Sequence, residues 1–100
     1  MSKGYWVVRI DITDPAKYEA YQQMVGPPLK KFAGRFLVRG GTFETKEGGA
    51  RKRNVIVEFP TFRAALDCYG SSEYQRAVAR RAGGADFDFI VVEGYDGPQP

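Results

Sequence analysis

Histidine is absent from all 100 residues. Without imidazole there is no Ser-His-Asp or Cys-His arrangement, and the usual histidine ligands of haem and zinc are missing. Cysteine occurs once, at Cys68, so no internal disulfide can form. Cys68 lies between Asp67 and Tyr69 with no adjacent cation to lower its pKa, and reads as a plain buried thiol. The apolar runs are all too short to span a bilayer. The opening MSKGYWVV has neither the apolar stretch nor the cleavage site of a secretion signal. These absences predict a cytoplasmic protein with no membrane partner, no metal site and no cofactor. Any catalysis is left to carboxylates, tyrosines, arginines or Cys68.

The length suits one domain, residues 1–100, which can hide roughly two-thirds of its unfolded surface. The net charge of +3 permits an anionic partner. The cations are dispersed, however, and the small groups Arg51-Lys52-Arg53 and Arg80-Arg81 read as solvated surface rather than a polyanion site.

The chain alternates strand and helix without repeats or linkers. Residues 5–12, YWVVRIDI, predict a strand. Asp14-Pro15 predicts a helix start, with Asp14 capping and Pro15 in the first turn. Tyr18, Tyr21, Val25, Leu29 and Phe32 then recur on one helical face, interrupted at Gly26-Pro27-Pro28, with Gly34 as the terminal cap. Strands follow over 35–45 and 52–60, with Gly48-Gly49 as a tight hairpin turn between them. Thr61 caps a helix to about Tyr69. Ser72 with Gln75 reads as a capping box for another helical piece to about Ala82. A last strand covers 86–93, and the tail GYDGPQP is left as a loose or packed arm.

This order predicts an α+β, ferredoxin-like β-α-β-β-α-β domain: an antiparallel sheet of order 4-1-3-2 with its helices on one face. A sheet covered on one side should alternate apolar and polar. Here Trp6, Val8, Ile10 and Ile12 point one way, yet Tyr5 and Val7 point the other. Val55, Val57 and Phe59 stand against Ile56, and Phe87, Phe89 and Val91 against Ile90 and Val92. Both faces read as buried, which predicts a homodimer with two sheets face to face about a twofold axis.

Residues 35–41, RFLVRGG, place Arg39 directly after an apolar run, Phe36-Leu37-Val38, expected to be buried. With Gly48-Gly49 as a two-residue turn, Arg39 would face Glu58 and Glu44 would face Arg53, giving cross-strand ion pairs. A bulge at Gly40-Gly41 would shift that pairing by one residue. Arg9 interrupts the first strand in the same way and can join the group. Two readings stay open. Arg9, Arg39 and Glu58 form either a structural charge network or the polar centre of an apolar cavity that holds a carboxylate, phenolate or enolate. Tyr69, Tyr74 and Trp6 are the aromatic candidates for its walls, or core residues. RGGTFE lacks the spacing and the following helix of a phosphate loop. The third strand, RNVIVEFP, does not match the aromatic pattern of RNA-binding domains of this strand order, so no nucleic-acid partner is expected.

In this order GYWVVRIDITDP, RFLVRGGTFE, VIVEFPTFRAAL, YGSSEYQRAVARR and FIVVEG resemble the domain of unknown function 1330 family, over about Gly4 to Gly94. The resemblance implies a place in the dimeric α+β barrel superfamily, and hence a twofold dimer of ferredoxin-like subunits. Cys68 stands where that family commonly has an aromatic, and Ser72 where proline is common. The wider superfamily contains cofactor-independent monooxygenases, lactone isomerases, haem enzymes and ligand-sensing domains; the missing histidine counts against the haem branch.

The functional expectation is a pocket between sheet and helices for a small anionic or phenolic metabolite, lined by Arg9, Arg39, Glu58, Tyr74, Tyr69 and Trp6. Any cofactor-independent monooxygenase- or isomerase-like chemistry would use Arg39 and Glu58 as its catalytic candidates. The alternative is a non-catalytic dimeric binding or assembly module in which the charges are structural.

Overall fold

The computed structural model describes residues 2–100. The elements run β1 (Gly4–Ile12), α1 (Pro15–Gln22), α2 (Gly26–Lys31), β2 (Arg35–Arg39), β3 (Arg53–Phe59), α3 (Phe62–Gly70), α4 (Ser72–Arg80) and β4 (Ala85–Glu93). The strands form one four-stranded sheet of order β2-β3-β1-β4 with every neighbouring pair antiparallel. This is the ferredoxin-like α+β architecture expected from the element order.

The helix signals act locally. The Asp14 carboxylate accepts from the backbone N–H groups of Ala16 and Lys17, which would otherwise be orphan donors of the first turn. Gly26-Pro27-Pro28 splits the first helical segment into α1 and α2 as its composition predicts. Thr61 caps α3 through the N–H of Ala64. The cap of α4 is Ser71 rather than Ser72: its Oγ accepts from the N–H of Tyr74, while the side chain of Gln75 turns back to the carbonyl of Tyr69. Behind α2 the left-handed residue is Ala33 (φ 58°), and Gly34 closes the turn by donating to the carbonyl of Leu29 at 2.8 Å.

Helices cover one face only. Trp6, Val8, Ile10, Val55, Val57 and Phe59 point into that layer and are buried, against Tyr18, Tyr21, Val25 and Leu29 from α1 and α2 and Ala65, Cys68, Tyr74 and Ala77 from α3 and α4. Ile12 shares their parity but is the last residue of β1 and is 40% exposed. The other face carries an apolar row across all four strands. Val38 opposes Ile56, Ile56 opposes Val7, and Val7 opposes Ile90. Ile90 is the most exposed member at 57%.

The β2–β3 hairpin departs from the sequence reading. β2 ends at Arg39 instead of residue 45, and 40–52 is an exposed connection rather than strand and two-residue turn. The register follows: Arg35, not Arg39, opposes Glu58, and Arg39 opposes Val55. Glu44 lies in the connection, with Lys46 as its ion-pair partner at 3.4 Å instead of Arg53. The bulge sits at Leu37, between Phe36 and Val38, rather than at Gly40-Gly41. Because β2 is an edge strand beyond the helix layer, Phe36 and Leu37 are 38% and 45% exposed rather than buried.

At the start of β1 the backbone of α3 crosses directly over Gly4. A Cβ added there would stand 2.6 Å from both the Cα of Phe62 and the carbonyl oxygen of Thr61. Those are backbone atoms at a capped helix start, so they cannot swing aside as a side chain would. Gly4→Ala is therefore expected to cost about 1–3 kcal/mol in a urea melt, with an unchanged m-value. A loss under half a kcal/mol would show that this crossing adjusts freely.

Candidate active site

The bulge at Leu37 determines which way Arg39 points. Side chains alternate along a strand. Phe36 opposes Val57 and shares its inward face, so in an unbroken strand Arg39 would point outward with Leu37. The extra residue reverses the parity: Val38 moves to the outer face opposite Ile56, and Arg39 turns inward opposite Val55. Phe36 and Arg39 thus lie on the same side, with the guanidinium 4.3 Å over the ring of Phe36.

They form one rim of a cavity of about 40 Å³ between the sheet and the α1–α2 pair. Its walls are Trp6, Val8, Ile10, Val55, Val57 and Phe89 from the sheet, and Tyr18, Tyr21, Val25 and Leu29 from the helices. Besides the tyrosine hydroxyls and the Trp6 indole N–H, its polar side chains are Gln22, Arg39 and Arg53. Arg53 holds its place through a hydrogen bond from Nε to the Tyr18 hydroxyl at 3.1 Å. Gly40 is left-handed (φ 68°), which favours glycine there, and the Arg53 guanidinium lies where a side chain at residue 40 would project. Among the described residues neither Arg39 nor Arg53 has a carboxylate within ion-pair distance.

Behind the cavity lies an aromatic cluster. Trp6 is 4.8 Å from Tyr74 and 5.1 Å from Phe89 between ring centroids, and its indole donates to the carbonyl of Ala65 at 2.9 Å. Tyr74 is fully buried, and its hydroxyl meets that of Tyr21 at 2.6 Å. Burial pushes both phenols up from their ordinary range, so both are protonated at neutral pH. Arg81, just past α4, stacks on Phe87 at 3.7 Å and on Tyr21 at 5.0 Å. Tyr69 is 36% exposed and packs edge-on against Phe89 at 5.0 Å. Cys68 is buried, with its thiol pushed up to about 12 by desolvation.

Of the six residues singled out in the sequence, the fold brings Trp6 and Arg39 to the cavity and places Tyr74 and Tyr69 in the cluster behind it. Arg9 and Glu58 lie on the opposite face of the sheet. Glu58 accepts from Arg35 and from the Tyr5 hydroxyl, both at 3.1 Å. Arg9 donates to the carbonyl of Gly49 at 3.2 Å. Beside it Arg51 bridges Asp88 at 2.8 Å and Asp11 at 3.0 Å. The Arg51 guanidinium holds Asp88 below the usual carboxylate range, and the Lys52 backbone N–H, then Arg51, does so for Asp11. Sequence reasoning missed Arg53 and Gln22, which line the cavity, and Arg81, which stacks on Tyr21 in its wall. For Arg53 the signal was present: it shares strand parity with Val55, Val57 and Phe59.

Comparison with solved structures finds the same fold in other proteins. A protein of unknown function from Rhodopseudomonas palustris, RPA0582, matches with a TM-score of 0.70 at 20% identity, over 96% of this chain and 85% of that one. SnoaB, a cofactor-independent oxygenase from Streptomyces nogalater, matches with a TM-score of 0.61 at 10% identity, over 100% and 97%. A conserved protein of unknown function from Bacteroides thetaiotaomicron matches with a TM-score of 0.59 at 12% identity, over 92% and 97%. At these identities the likeness is one of fold. Comparison with curated proteins gives no match. The model of the domain of unknown function DUF1330 matches residues 3–95, and the chain belongs to that family.

Proposed function

We propose that this protein binds a small molecule with an apolar body and an anionic end, the anion held by Arg39 and Arg53 at the cavity mouth. The observation that carries this is the pair of guanidinium groups beside an apolar cavity, neither with a carboxylate partner among the described residues. A cation beside apolar walls is normally paired, and a ligand carboxylate, phenolate or enolate supplies the missing charge in a geometry the planar fork recognises. The free volume accommodates a few water-sized groups, so a ring enters by displacing the exposed rim ring of Phe36, while Arg39 meets the anionic end. The same two cations would stabilise negative charge developing on a bound enol or phenol, the requirement of cofactor-independent oxygenase or isomerase chemistry. SnoaB, with this fold, is such an oxygenase.

The subunits pair through the outer sheet face, because the row Val38-Ile56-Val7-Ile90 is apolar and lacks a helix to cover it. On that face a structural reading suits Arg9, Glu58 and Arg51: Glu58 already has two donors, and Arg51 two carboxylates.

Isothermal titration with 4-isopropylbenzoate and its neutral isostere 4-isopropylbenzamide tests the cavity. The carboxylate is expected to bind at least tenfold more tightly, at a strength that falls with added salt. Equal affinity for the two would remove the anion from the proposal.

A further inference from the structure

The two arginines at the cavity mouth are not equivalent. Arg39 ends the edge strand, is exposed, and stacks on the exposed ring of Phe36. Arg53 is half-buried and comes from β3, where it opposes Ile10 on the inward face of the sheet. Two contacts fix how its guanidinium sits. The first is to α1. Nε donates to the Tyr18 hydroxyl at 3.1 Å, and the direction follows from the chemistry, because a guanidinium has donors and no acceptor. Tyr18 is 5% exposed and packs against Tyr21 and Phe87, so this acceptor is held in place. The second contact is to Gly40. Its N–H donates to the carbonyl of Asn54 at 2.8 Å, which ties residue 40 to the strand beside Arg53. A Cβ built on Gly40 would stand 2.9 Å from Cζ and 3.4 Å from Nη2 of Arg53, and closer still to Nη1. A point that near to all three atoms lies over the face of the planar group and not off its end.

Arg53 stands at the mouth with Phe36, Arg39 and Tyr18, all of them lining the cavity. A ligand there meets the guanidinium by what is left uncovered. Tyr18 takes the Nε–H, and Gly40 covers one face near Nη1. The edge between Nη1 and Nη2 remains, and among the described residues no carboxylate meets it. Such an edge presents two parallel N–H donors, spaced for both oxygens of one planar carboxylate. A phenolate or enolate has a single anionic oxygen and engages only part of it. We propose that the anionic end of the ligand is a carboxylate received end-on by Nη1 and Nη2 of Arg53, with Tyr18 and Gly40 as positioning residues that hold the guanidinium for it. This rests on the cavity being the binding site, and it narrows the anions that site admits to one class.

Pentafluorobenzoate and pentafluorophenolate test it. They carry the same ring and are both ionised at neutral pH, one with two anionic oxygens and the other with one. Isothermal titration of the wild type is expected to favour the benzoate about tenfold. Tyr18→Phe removes the acceptor of Nε and keeps the ring, while Gly40→Ala puts a methyl group where the guanidinium lies. Each is expected to reduce the preference by about threefold or more, and neither should change it in an Arg53→Met background. If Gly40→Ala fails to fold at its positive φ, Tyr18→Phe alone decides. A purely structural role would weaken both probes alike, or act equally with and without the Arg53 guanidinium, and either result overturns the inference. Equal wild-type affinity for the two anions also overturns it while leaving an anion site standing. If neither anion binds the wild type, the site itself falls, and the inference with it.

Discussion

Arg39→Met combined with Arg53→Met is expected to weaken 4-isopropylbenzoate binding roughly a hundredfold and to leave the benzamide isostere nearly unaffected. A hydrogen bond to a charged group contributes about 1.5–3 kcal/mol, less where solvent screens it. Arg39 is exposed and Arg53 half-buried, so the pair together should supply about 3 kcal/mol. Methionine preserves the apolar stems that pack on Phe36 and Tyr18, which isolates the charge. Stability should change little, because among the described residues neither arginine pairs with a carboxylate, and the side-chain hydrogen bond lost there is from Arg53 to the Tyr18 hydroxyl. If the double variant unfolds several degrees earlier and binds both probes as before, the cations are structural and the cavity reading is wrong.

Ile90→Glu is expected to turn a dimer into a monomer that remains folded. The row Val38-Ile56-Val7-Ile90 spans the sheet, flanked by Tyr5, Glu58 and Val92 on one side and Asn54, Arg9 and Asp88 on the other. In a twofold, face-to-face pair each substitution is present twice, and two unpartnered carboxylates would be buried in an apolar seam. That penalty is several kcal/mol, enough to raise the dissociation constant a thousandfold or more. In a single subunit the same side chain is largely in water, with Ile90 57% exposed, so circular dichroism and the melting curve should be preserved. Native mass spectrometry of wild type and variant at matched concentrations decides it. A monomeric wild type would sink the face-to-face pairing outright.

The architecture was legible because its signals are local. Asp14-Pro15, Gly26-Pro27-Pro28 and Thr61 each act within a turn or two of themselves, and the strand order follows from element order alone. The register of β2 on β3 was not legible. It depends on how many residues the connection consumes, and Gly48-Gly49, a good turn sequence, lies inside a long irregular stretch instead of at a hairpin tip. A bulge at Leu37 has no composition signal of its own, yet it decides whether Arg39 meets the cavity or the opposite face. Of the residues singled out in the sequence, Trp6 and Arg39 therefore line a cavity between sheet and helices, while Glu58 and Arg9 fall on the other side of the sheet. Arg81 follows the last helical turn, where neither strand parity nor helical spacing predicts a direction. Its placement emerges only when β4 returns beside α1 and brings Phe87 against Tyr21.

The position of Trp6 has a practical consequence. It is the sole tryptophan of the chain, it is 3% exposed, and its ring belongs both to the cavity wall and to the cluster of Phe59, Tyr74 and Phe89. Tryptophan emission, excited at wavelengths beyond tyrosine absorption, thus originates at one buried location, next to the space a ligand would fill. Occupancy of that space, or loss of a neighbouring ring, will register as a change in the intensity or colour of a single emitter, so the molecule carries its own optical gauge without dye or tag.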